Sequence, residues 1–89
     1  MTERAFSNGW EALPTCAQGA LVSLVYNRGT QMTGDRRLEM RVIRDQCVPT
    51  TDVQCIAGQL RAMTRIWAGT DIEAGMYRRR NAEADLALM

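Results

Sequence analysis

At 89 residues, with 46% hydrophobic and 24% charged side chains, the chain has the make-up of one small soluble domain. A net charge of +1 offers no bulk attraction to nucleic acid or to an anionic membrane. The absence of histidine removes every Ser-His and Cys-His nucleophile, so any acid–base chemistry falls to carboxylates.

Cys16, Cys47 and Cys55 are odd in number and lack metal-ligand spacing. They read as reduced, half-buried thiols, and neither a metal nor any other cofactor is expected. No window is long and apolar enough for a membrane span, and the N-terminus lacks a basic region followed by an apolar stretch and a cleavage site. The expectation is a cytoplasmic protein, or one that leaves by a route needing no signal, without membrane contact.

In chain order, Thr2 to Phe6 predicts a short helix, and Ser7-Asn8-Gly9 has turn chemistry. Trp10 and Leu13 are apolar anchors that fold back on the central helix. Phe6, Trp10 and Leu13 share a four-and-three spacing, which predicts one helical face patching that helix, the alternative being a contact surface for a partner or a second copy. The central helix is expected over Pro14 to Arg28, since proline is tolerated in a first turn. Its run ALVSLVYNRG, Ala20 to Gly29, is the most apolar in the chain. Leu21, Leu24 and Val25 mark its stripe, and Val22 and Tyr26 widen it toward burial on most sides. Gly29 supplies the left-handed residue that closes it.

A polar loop, Gly29 to Gly34, leads to a second helix over Asp35 to Gln46, with Leu38, Val42 and Ile43 inward. Arg36, Arg37, Arg41 and Arg44 then form its solvated face. Val48-Pro49 stops it. Thr51-Asp-Val-Gln54 has capping-box form and opens a third helix at about 52 to 67, carrying Val53, Ile56, Leu60, Met63 and Trp67 inward. Thr70-Asp-Ile-Glu73 opens a last helix through about Leu88, with Ile72, Met76, Ala82 and Leu86 apolar and Arg78 to Arg80 a basic block. No segment alternates with period two. The predicted fold is all-α: four main helices plus a short N-terminal one, in a single domain. Leu21, Leu24, Val25, Ile56, Leu60, Met63, Trp67 and Leu86 are its expected shared core.

Two stretches resemble phage-type lysozymes (endolysins). ALVSLVYNRG is similar to that family's buried helix, A-L-V-S-F-x-Y-N-x-G, matching at Ala20, Leu21, Val22, Ser23, Tyr26, Asn27 and Gly29. The end of the chain resembles its C-terminal signature, through Trp67, Gly69, Gly75, Arg79, Arg80, Glu83 and Leu86. The resemblance covers about residue 16 to the end and implies the helical C-terminal lobe. It also implies that Asn27, Tyr26 and Arg28 lie toward the saccharide cleft, where an amide offers donor and acceptors to sugar hydroxyls. Arg79, Arg80 and Glu83 become helix-internal ion pairs at i, i+4 and i, i+3 that tie the last helix to the lobe.

The family's catalytic pattern is missing. It needs a general-acid Glu, an Asp roughly nine residues on and a Thr about six further, so that two carboxylates flank one glycosidic bond. Glu3 would need an Asp where Ala12 stands, and Glu11 one where Ala20 stands. No catalytic residue is assigned. The resemblance implies the peptidoglycan-binding half of a muramidase, inactive alone, whose partners are the glycan or a missing catalytic lobe. The alternative is a standalone binder of a host protein, such as a host-defence inhibitor. Met1 and the helix at the end fit an independent protein, although a fragment would look the same. A nucleic-acid-binding domain ranks last, because Asp and Glu balance the arginines. Either a monomer or a homodimer is expected.

Overall fold

The apolar run becomes the helix against which the last helix packs along its length. In the computed structural model, which describes residues 2–6, 8–29 and 31–89 (for 2, 3 and 36 the backbone only), it is the middle of α2, Thr15–Arg28. Before it come α1, Thr2–Ala5, and a 3₁₀ turn, Trp10–Ala12. After it come α3, Leu38–Val42, led in by a 3₁₀ turn at Asp35–Arg37 and continued by a π turn at Ile43–Cys47. Next is α4, Val53–Ala62, which tightens into 3₁₀ geometry over Met63–Trp67, and finally α5, Glu73–Ala87. The fold is all-helical, and among the described residues there is no strand.

One core joins these elements. Ala17, Ala20, Leu21, Leu24 and Val25 of α2 meet Met40 and Ile43, Ile56 and Leu60, Met63 and Trp67, and Ala84 and Ala87. Seven of the eight expected core residues are buried, and Leu86 packs half-buried against them. A Cα radius of gyration of 11.9 Å is what one domain of this length has.

Several expectations are corrected. α2 is one-sided: Tyr26 lies opposite the stripe of Ala17, Leu21 and Leu24 and is 89% exposed, while Val22 is 48% exposed. The second helix is not continuous. Its 3₁₀ lead-in shifts the phase, so Leu38 faces out and Glu39, Met40 and Ile43 face in. The π turn then adds a residue, closed by Val48 N donating to Ile43 O at 2.9 Å. This brings Cys47 inward, where it bonds Cys55 across 5.3 Å between Cα atoms. The thiols at 47 and 55 are therefore not reduced, and Cys16 alone is free.

Helix starts also move. The cap of α4 is Asp52, accepting from Cys55 N at 3.0 Å, while Thr51 takes the left-handed φ of 52° before it. Glu73 is the first residue of α5, and its Oε1 accepts from Gly69 N at 3.3 Å. The inward stripe of α5 is Arg80, Glu83, Ala84 and Ala87 rather than Ile72, Met76, Ala82 and Leu86. Ile72 and Ala82 are exposed, and Met76 and Leu86 are half-buried.

The N-terminal segment covers the core without forming one helical face. Phe6 and Leu13 are buried and Trp10 half-buried, with Gly9 at φ 103° turning the chain between them. Gln18 Nε2 on α2 donates to Trp10 O at 2.8 Å, fastening the segment. Ser7 of the expected turn lies outside the described residues.

Candidate functional site

α2 ends because Gly29 turns away at φ 83°, its N–H still bonded to Val25 O at 2.7 Å. The last α2 residues, Asn27 and Arg28, thereby reach the wall of a cleft of about 560 Å³. Gln31, Thr33 and Gly34 of the following loop form another part of the wall, with Asp35 and Arg37 beyond them. Trp67 and Met76 supply the apolar lining. A cleft of this size and mixed lining suits a small ligand.

Arginines hold the wall in place. Arg41 Nη1 donates to Met32 O at 2.9 Å and Gly34 O at 2.7 Å. Arg65 Nη2 donates to Asp35 O at 2.7 Å, and Nη1 to Asp35 Oδ2 at 3.1 Å. The same guanidinium grips buried Glu39, Nε to Oε2 at 2.6 Å and Nη2 to Oε1 at 3.2 Å. Hydrogen bonds from Arg65 to Glu39 and then to Asp35 raise the Arg65 pKa above its ordinary value. Arg41 thus binds backbone carbonyls, where local patterning predicts only a solvated face.

Trp67 is held between charges. The Arg28 and Arg80 guanidinium carbons lie 5.1 and 5.7 Å from its ring centroid, within cation–π range. Arg80 is fully buried. Its Nη2 donates to Glu83 Oε2 at 2.8 Å, and its Nε lies 2.7 Å from Glu83 Oε1. Ser23 Oγ on α2 donates to Glu83 Oε2 at 2.6 Å, and Arg79 Nε approaches that oxygen at 3.8 Å. Burial lowers the Arg80 pKa and raises that of Glu83, the latter opposed by Ser23, Arg80 and Arg79. This network fixes α5 to α2 directly beneath the cleft's aromatic residue.

Of the residues that the resemblance singled out, Asn27 and Arg28 come together on the cleft. Tyr26 does not line it. Arg79, Arg80 and Glu83 form the expected pairs. Sequence reasoning missed Gln31, Thr33, Arg37 and Met76 as lining, and saw Trp67 only as core. The signal that could have found them was the polar loop directly after a glycine-capped helix. Among the described residues no group of three or more His, Cys, Asp or Glu sits where it could hold a metal. No helix among them is long and apolar enough to cross a membrane. The Glu3 side chain lies outside the described set, and Glu11 is exposed on the 3₁₀ turn.

No family model, curated protein or solved structure matches the chain.

Proposed function

We propose that the chain is the glycan-binding C-terminal lobe of a phage-type lysozyme and that it holds peptidoglycan without cleaving it. The observation that carries this reading is the end of α2. Its Asn27 amide stands with Gln31 and Thr33 on one cleft and offers hydrogen-bonding groups to sugar hydroxyls, while Met76 and the largely buried Trp67 give that cleft its apolar lining. The motif ALVSLVYNRG and the closing Arg-Arg-x-x-Glu segment support the same assignment. Catalysis would need two carboxylates spaced to flank one glycosidic bond, and neither Glu3 nor Glu11 has an Asp at that spacing. A disulfide such as Cys47–Cys55 persists most readily under oxidising conditions, which supports a place of action outside the cytoplasm, where the glycan lies.

The test is co-sedimentation of the purified protein with insoluble sacculi, together with their turbidity. Binding that Asn27→Ala weakens, at constant turbidity, is the expected result. Clearance abolished by Glu3→Gln or Glu11→Gln would establish an acid and overturn the non-catalytic reading. A second reading, a binder of a host protein or of a catalytic lobe, is favoured by the exposed Val22 and Tyr26 on α2. Under it, Tyr26→Ser abolishes capture of that partner and leaves sacculus binding intact.

A further inference from the structure

The charge of the cleft is not what a neutral sugar requires. Two guanidinium groups, Arg28 and Arg37, line it against one carboxylate, Asp35. Asp35 is already engaged by Arg65 at 3.1 Å. Arg41 adds a further positive charge behind the loop that it pins. Arg37 has no such commitment: its Nη1 donates to the Met40 sulfur at 3.4 Å, a weak acceptor. Among the described residues it lies within ion-pair distance of no carboxylate.

We propose that the cleft contains an oxyanion subsite, with Arg37 as its principal donor and Arg28 contributing positive charge, and that it selects an acidic saccharide over a neutral one. The saccharide part rests on the function proposed above, whereas the anion part rests on the cleft alone. A guanidinium presents parallel N–H groups that match a carboxylate or phosphate, and a charge-assisted bond is roughly twice as strong as a neutral one. At Arg37 an incoming oxyanion displaces a contact to a thioether, a weak acceptor. The wall is held before binding by Arg41 and Arg65, so little conformational freedom remains to be lost when a ligand arrives.

The experiment is an NMR or calorimetric titration of the full chain with three probes. They are a neutral N-acetylglucosamine disaccharide, the same disaccharide carrying a lactyl carboxylate on one ring, and inorganic phosphate. The expected result is that the acidic disaccharide binds at least about tenfold more tightly than the neutral one, more weakly as salt rises. Arg37→Gln, checked for unchanged helicity and melting, removes that preference, so that the two sugars bind the variant with equal affinity. Equal affinity for the two sugars overturns the subsite and spares the glycan reading. Phosphate binding as tightly as the acidic sugar, with no neutral-sugar binding, overturns the saccharide selection and shows a general anion site. No binding by any probe overturns both.

Discussion

Two corners of this small domain are fastened in opposite ways. Where α5 meets α2, the fastening is ionic and buried: Ser23, Arg80 and Glu83 share one network at 2.6 to 2.8 Å, with Arg79 at its edge and Trp67 over Arg80. Where the π turn after α3 meets α4, it is covalent: Cys47 to Cys55, closing a short loop capped by Asp52. The ionic corner costs desolvation of both charges, so its value lies in leaving neither partner alone. The covalent corner acts chiefly by restricting the unfolded chain. The first is therefore intolerant of single substitutions, and the second answers to the redox potential.

The largest expected effect breaks the ionic corner. Arg80→Met leaves Glu83 buried beside Ser23 without its main counter-charge and should cost about 3–5 kcal/mol. In a domain whose whole stability is of order 5 kcal/mol, that can unfold it. The double variant Arg80→Met with Glu83→Leu should recover most of the loss in urea titrations. A single variant as stable as the parent would show that the pair contributes nothing to holding α5.

Next comes the covalent corner. Cys47→Ala with Cys55→Ala, or reduction of the parent, should cost about 2–3 kcal/mol from loop entropy. Thiol titration of the denatured parent should find one free group, Cys16. Three free thiols in non-reduced protein would remove this corner from the comparison. A smaller effect tests how the N-terminal segment seats on the same corner. A Cβ on Gly9 would collide with the Val48 carbonyl oxygen, and Gly9 stands at φ 103°. Gly9→Ala should cost about 1 kcal/mol or more through the incompatible backbone. Unchanged stability would mean that residues 8 and 9 are not packed against residue 48.

The two corners were unequally legible in the sequence. α2 was readable because Leu21, Leu24 and Val25 sit in an unbroken apolar run, and tertiary packing has nothing to override there. The inward face of α5 was not, because Arg80 and Glu83 carry charges that local patterning assigns to solvent, while Ile72 and Ala82 look apolar and lie outside. Only a partner from another helix, Ser23, makes that charged face suitable for the interior. The disulfide was hidden for a different reason. Its geometry depends on a π turn that advances the helix phase by one residue, which no periodicity rule anticipates. For the cleft, the rim at Asn27 followed from the helix end and the glycine after it. Arg37, Arg41 and Arg65 were opaque because a guanidinium on a polar face looks alike whether it meets water, a backbone carbonyl or a ligand.

The finest test of the ionic corner is its pH dependence. Burial raises the Glu83 pKa above its ordinary value, with Ser23, Arg80 and Arg79 opposing the rise. Below the unfolded pKa the carboxyl is protonated in both states and linkage contributes nothing. Between that pKa and the raised folded one, the folded protein holds a proton that the unfolded chain has released. Stability from this group is therefore greatest in acid and is lost as pH rises through the window, opposite in sign to a carboxylate stabilised in its charged form. Glu83→Gln cannot titrate, so the stability of the parent minus that of the variant should decline as pH rises from about 4.5. Urea titrations at half-unit pH steps measure this, with other carboxylates cancelling between the two proteins. A difference that grows with pH instead would mean that the charges of Arg80 and Arg79 outweigh burial, and that the α2–α5 corner is held by a fully ionised pair.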